Sequence, residues 1–175
     1  LAAFQTTPDI YWSLIRLGSS ATVLQQLTND KEAFEAFINE RWANIASHDA
    51  GSTNYVATVR RVRTLIQNDI SAAESEHPIV ASSYVVIWVS DGAPVVNGQE
   101  QNANSIINNT TSLVELENNK KNYVDGLQFN TAYYYAEPVD EQARTILSDM
   151  AQRGHGEFYE FGDGQEIDYS RFAVP

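Results

Sequence analysis

The chain has 175 residues, 43% of them hydrophobic and 19% charged, the balance of one globular domain large enough to bury a core and not that of a disordered segment. Its 23 acidic residues outnumber 11 basic ones, and the formal charge of -12 opposes phosphate backbones and anionic membrane surfaces, so no nucleic-acid partner is expected. The absence of cysteine excludes disulfides and thiolate metal sites, and no apolar run approaches the roughly 18 residues a transmembrane helix needs.

The opening, "LAAFQTTPDIYWSLIRLG", has no initiator Met and no charged leader, and reads as the start of a mature or cut fragment. Residues 11–17 ("YWSLIRL") read as a strand, joined at Gly18-Ser19 by a tight turn to a short partner in "SSATVLQQL". Asn29 with Glu32 three residues later resembles a capping box, and Phe34, Phe37, Ile38, Trp42 and Ile45 follow at helical spacing. A polar loop, 47–54, leads to a second helix with an apolar stripe of Val56, Val59, Val62, Ile66 and Ile70.

Next comes "VVIWVSDGAPVV" (85–96), an apolar strand without alternation, which predicts cover on both faces, and it stops at Ser90-Asp91-Gly92. "NGQEQNAN" reads as a polar loop, and 103–125 as a helix weakened by its many Asn residues. "FNTAYYYA" (129–136) is the next strand. Pro138 precedes a helix carried by Val139, Ala143, Ile146, Leu147 and Met150, closed by Gly154, and "EFYEF" (157–161) is the last strand. This alternation predicts an α/β fold: a three-layer, Rossmann-like, mostly parallel sheet with helices on both faces, in one domain over 1–175, with 162–175 as the start of a linker.

Two loops fall at the carboxyl edge of that sheet, where open α/β folds bind ligands. One is Gly51-Ser52-Thr53-Asn54, before a helix; the other is Ser90-Asp91-Gly92. Their hydroxyl and carboxylate oxygens are hard ligands that suit Mg²⁺, Mn²⁺ or Ca²⁺. The plainer alternative is that Ser52 or Thr53 caps the helix while Asp91 accepts N–H bonds within its own turn.

The order "GSTN", amphipathic helix, apolar strand, "SDG" followed by a proline, and late "LSDMAQRGHGEFYEF" resembles a von Willebrand factor A domain over nearly the whole chain. In that family a metal-ion-dependent adhesion site is assembled from an Asp-x-Ser-x-Ser strand end, a threonine loop and a Ser/Thr-Asp-Gly loop. The resemblance implies Thr53 and Asp91 as metal ligands, with Ser52, Asn54, Ser90 and Gly92 around them at a partner-binding edge. No Asp-x-Ser-x-Ser occurs: the nearest string, 69–73, continues a helical stripe and lacks the second serine. The strand and helix that would precede 11–17 are also missing. The expectation is therefore that the protein extends N-terminally, or that another segment fills that slot, and that the metal site here is partial. The resemblance also requires the strand at 84–90 to be central and parallel to 129–136; an exposed edge there would contradict it.

Other candidates carry blander readings. Arg60, Arg61 and Arg63 read as the solvated face of a helix, and His48, His77 and His155 are too dispersed for a metal site. The run Tyr133-Tyr134-Tyr135 reads as strand packing. No phosphate loop, nucleophile elbow or paired catalytic acids is present. Three functions remain open. The resemblance implies a non-enzymatic adhesion or assembly module in which an acidic side chain of a partner protein completes the metal's coordination. The alternative is a scaffold subunit of a larger bacterial envelope assembly, and the third is a Mg²⁺-dependent hydrolase using Asp91. Lack of cysteine suits a bacterial extracytoplasmic setting.

Overall fold

The computed structural model describes residues 10–43, 52–75, 81–135, 137–162 and 164–165. An antiparallel hairpin comes first, β1 (Trp12–Arg16) and β2 (Thr22–Thr28), with two irregularities in its register. Helix α1 (Lys31–Ala43) follows, capped not by Asn29 as the capping box predicts but by Asp30, whose Oδ1 accepts the Ala33 N–H at 2.9 Å. The cap moved one residue because Asp30 supplies an acceptor three residues before a free first-turn N–H. Phe34 is buried and Phe37 half-buried, whereas Ile45 and the side chain of Trp42 lie outside the described residues.

Helix α2 (Tyr55–Ala73) buries Val59, Val62, Ile66 and Ile70 as its stripe predicts, with Val56 only half-buried. Strand β3 (Ser82–Ser90), a two-residue hairpin β4 (Val95–Val96) and β5 (Gln99–Glu100), helix α3 (Ala103–Asn119), strand β6 (Val124–Tyr135), helix α4 (Glu141–Arg153) and strand β7 (His155–Gly162) complete the order. The Asn content of α3 is overridden by burial of Ile106, Thr110, Leu113, Val114 and Leu116 along one side. That helix ends at Asn119, short of 125, and β6 begins at Val124, five residues ahead of the expected strand start, because Val124, Leu127 and Phe129 all reach the core.

The fold is mixed α/β. Its main sheet has the order β3-β6-β7, all parallel, and is flanked by helices. Trp88, Leu127, Phe129 and Tyr133 from one face of the sheet share a single core with α2, α3 and α4. The opposite face carries a second cluster of strand residues, Ala132 and Phe161 with Ile87, Val89, Tyr134 and Tyr159. Among the described residues no helix contributes to that second cluster.

One expectation is corrected. Strand β3 is parallel to β6, with Val86 opposite Phe129 and Ser90 opposite Tyr133, but it is not central: among the described residues it has a single ladder neighbour, and β6 is the middle strand. Its apolar run reflects what lies above and below the sheet. Tyr84, Val86 and Trp88 join the helical core, while Ile87 and Val89 join the second cluster, and neither requirement fixes how many strands lie beside it.

His155 opens β7 at φ 57°, and Gly154 closes α4 as predicted, though for reasons of space. A Cβ on Gly154 would come within 2.4 Å of the Phe129 Cβ.

Candidate functional site

The carboxyl end of β3 is tied to the start of α2 by a closed ring of hydrogen bonds. The Tyr55 hydroxyl donates to the Gly92 carbonyl at 2.8 Å; three residues on, the Val95 carbonyl accepts the Thr53 N–H at 2.9 Å, which returns the path to Tyr55. Gln101 adds a second tie: its Oε1 accepts the Tyr55 N–H at 2.6 Å, and its own N–H reaches the Pro94 carbonyl at 2.8 Å. The Asn54 N–H reaches Gly18 at 2.8 Å, so the turn after β1 joins the same edge.

The hairpin that brings Val95 and Gln101 into place turns at Asn97 and Gly98, with φ 52° and 76°. Both values lie in the left-handed region, which Asn-Gly adopts at low cost in a two-residue turn that matches strand twist. The segment expected as a plain polar loop is therefore a hairpin, for which Asn-Gly is the sequence signal.

The six residues expected at the site divide into two groups. Asn54 is the cap of α2: its Oδ1 accepts the Ala57 N–H at 2.9 Å and the Gln101 Nε2 donor at 2.8 Å, and its amide donates to the Ser19 carbonyl at 3.2 Å. The cap is thus neither Ser52 nor Thr53. Ser90 is 6% exposed, and its hydroxyl donates to the Gly92 carbonyl at 3.3 Å. These two side chains are engaged inside the protein.

Ser52, Thr53 and Gly92 are half-buried and Asp91 is exposed. Among the described residues neither the Thr53 hydroxyl nor the Asp91 carboxylate has a hydrogen-bond or ion-pair partner. A Cβ on Gly92 would meet nothing within 4 Å, so the edge is open there.

The electrostatics are acidic. Burial holds the Tyr55 phenol well above its ordinary range, and the negative charges of Asp91 and Asp140 push it the same way. Tyr133, whose hydroxyl accepts the Asp140 N–H at 2.9 Å, is raised first by burial and further by Asp140, Glu141 and Asp91. Asp140 itself caps α4 through the N–H groups of Gln142 and Ala143, both at 3.0 Å. Among the described residues no three His, Asp or Glu side chains gather in a way that could hold a metal ion. Thr53 and Asp91 offer at most three oxygens of the kind a hard cation takes, one hydroxyl and two carboxylate, against the roughly six or more it requires, so a cation there would draw the rest of its ligands from water or another chain.

Tyr55 and Gln101 were not anticipated. Tyr55 lies four residues before Val59, in phase with the buried stripe, so the stripe signals its burial though not its hydroxyl bond, and Gln101 lies in a segment whose residues look uniformly polar. His48 and His77 lie outside the described residues. His155 is exposed at the opposite, amino-terminal end of its strand. No protein-family model matches the chain, and no curated protein matches it. No described helix is long and apolar enough to cross a membrane.

Proposed function

We propose that the chain is a protein-binding module whose contact point is the loop edge at the carboxyl end of β3, where Thr53 and Asp91 contribute oxygens to a Mg²⁺ or Mn²⁺ ion, or to Ca²⁺, and an acidic side chain of the partner completes its coordination. The observation that carries this reading is the ring of hydrogen bonds joining the two loops while the Thr53 hydroxyl and the Asp91 carboxylate have no partner among the described residues. A purely structural pair of loops would be expected to use its acid in its own turn, as Asp30 and Asp140 do at α1 and α4.

Among the described residues β3 lies at the sheet edge, where the von Willebrand resemblance requires a central strand, so sheet topology counts against the resemblance and the reading stands on the loops alone. The scaffold alternative, in a bacterial envelope assembly outside the cytoplasm, is favoured by the internal use of Asn54 and Ser90, two residues the resemblance assigns to the binding edge. Nothing in the loop geometry favours the hydrolase.

Calorimetric titration of Mg²⁺ and Mn²⁺ separates the two readings. A binding module takes up metal weakly and loses it in Asp91→Ala and in Thr53→Val at unchanged thermal stability. A scaffold gives the same heats in all three proteins.

A further inference from the structure

We propose that Tyr55 is the positioning residue that locks the Ser90–Gly92 loop to the Ser52–Asn54 loop, so that the loops carrying the Asp91 carboxylate and the Thr53 hydroxyl are fixed to each other through its phenol. The functional part of this inference, that the lock sets metal affinity, rests on the reading just given; the structural part does not.

Three features support the assignment. Tyr55 has 0% exposure although it is the first residue of its helix, a position where side chains usually lie near solvent. Both ends of the residue are used: the backbone N–H, otherwise an orphan of the helix start, is taken by Gln101, and the hydroxyl reaches Gly92 across the top of the sheet. Its ring is also fixed sideways, edge-on to Trp88 with centroids 5.0 Å apart and planes at 70°, and Trp88 in turn packs on Phe129 at 5.6 Å. A phenol held this firmly gives the Gly92 carbonyl one position.

The ring of bonds makes the lock cooperative. From the Gly92 carbonyl the chain passes through Ala93 and buried Pro94 to Val95, whose carbonyl holds the Thr53 N–H, two residues before Tyr55. Releasing the phenol frees the 92–95 segment at one end, and the Thr53 N–H loses a fixed acceptor. The Ser90 hydroxyl shares the Gly92 carbonyl at 3.3 Å, a longer contact, and is the junior donor.

Tyr55→Phe removes the hydroxyl and keeps the ring. Amide hydrogen exchange followed by NMR should show the Thr53 N–H exchanging about tenfold faster in Tyr55→Phe, the effect of losing one net hydrogen bond. The Phe129 N–H, bonded to the Gly154 carbonyl at 2.8 Å in the core, should not change. Ser90→Ala should give a smaller effect on Thr53 than Tyr55→Phe. Equal acceleration at Thr53 and Phe129, no acceleration at Thr53, or a larger effect from Ser90→Ala would each overturn the lock.

Mn²⁺ titrations of the wild type, Tyr55→Phe, Asp91→Ala and the double variant test its consequence. A lock acting through the Asp91 loop predicts weaker Mn²⁺ binding in Tyr55→Phe and no further loss when Asp91 is already absent; additive losses contradict it. Thr53 exchange that responds to Tyr55→Phe alongside Mn²⁺ binding that ignores Asp91→Ala would sink the metal reading and leave the lock standing. The reverse pattern would sink the lock alone.

Discussion

Gly156 sits where β7 runs close against the backbone of β6, and Gly156→Ala should destabilise the protein more than any exposed substitution. A Cβ there would lie 2.4 Å from the Phe129 carbonyl oxygen, 2.6 Å from its carbonyl carbon and 2.8 Å from Asn130 Oδ1. The first two neighbours are backbone atoms of the central strand, so no rotamer relieves the clash, and the strands must part by roughly 1 Å to restore ordinary contact distances. The third neighbour is the acceptor of the Glu157 N–H at 2.9 Å, and Asn130 is 3% exposed, so displacing it strands a buried polar group. Overpacking and a lost buried hydrogen bond together amount to about 2–5 kcal/mol. For a chain of this length that lowers the melting temperature by roughly 5–15 °C. Urea unfolding followed by tryptophan fluorescence measures it, with Gly92→Ala as the control, expected within about 0.5 kcal/mol because its Cβ meets nothing. A loss below about 1 kcal/mol in Gly156→Ala would refute the close approach of the two strands.

Asp140→Ala should cost about 0.5–2 kcal/mol, since the N–H groups of Gln142 and Ala143 lose the acceptor that caps α4; urea midpoints measure it, and an unchanged midpoint would show that the cap contributes nothing. Stability should be flat in mild alkali and fall as the pH rises past 10.0, the ordinary phenol value. The sign follows from Tyr55 and Tyr84, both raised first by burial, and Tyr84 further by the hydroxyl bond it donates to Asp69 at 2.8 Å: the folded state keeps protons that the unfolded chain releases. Urea midpoints between pH 8 and 11 should fall less steeply in Tyr84→Phe than in the wild type, and identical slopes would contradict the assignment.

Much of the fold was legible because periodicity encodes burial. The Val59, Val62, Ile66 and Ile70 stripe of α2 and the Ile146, Leu147 and Met150 stripe of α4 lie in the core as their spacing requires, and the parallel pairing of β3 with β6 follows from the helix between them. The position of β3 at the edge among the described residues was not legible, because side-chain character reports the faces of a strand and not its ladder neighbours. At the site, Asp91 was visible as an acid at the end of an apolar run. Its partners were not. Asn54, expected to bind a partner, caps α2, and capping depends on a register of one residue that hydroxyl-rich strings such as Ser52-Thr53-Asn54 do not fix. Tyr55 and Gln101 act through tertiary hydrogen bonds over separations of 37 and 46 residues, which no local pattern announces.

The claim that Thr53 and Asp91 form one metal-binding edge is tested most directly by adding Mn²⁺ to the ¹⁵N-labelled protein and mapping which amide signals broaden. The account predicts that signals from 52–54 and 90–92 broaden first and together, and that Asp91→Ala abolishes the effect while the remaining spectrum keeps its dispersion. Broadening centred on other acids, such as Glu100 or Glu141, or a pattern unaltered by Asp91→Ala, would contradict it.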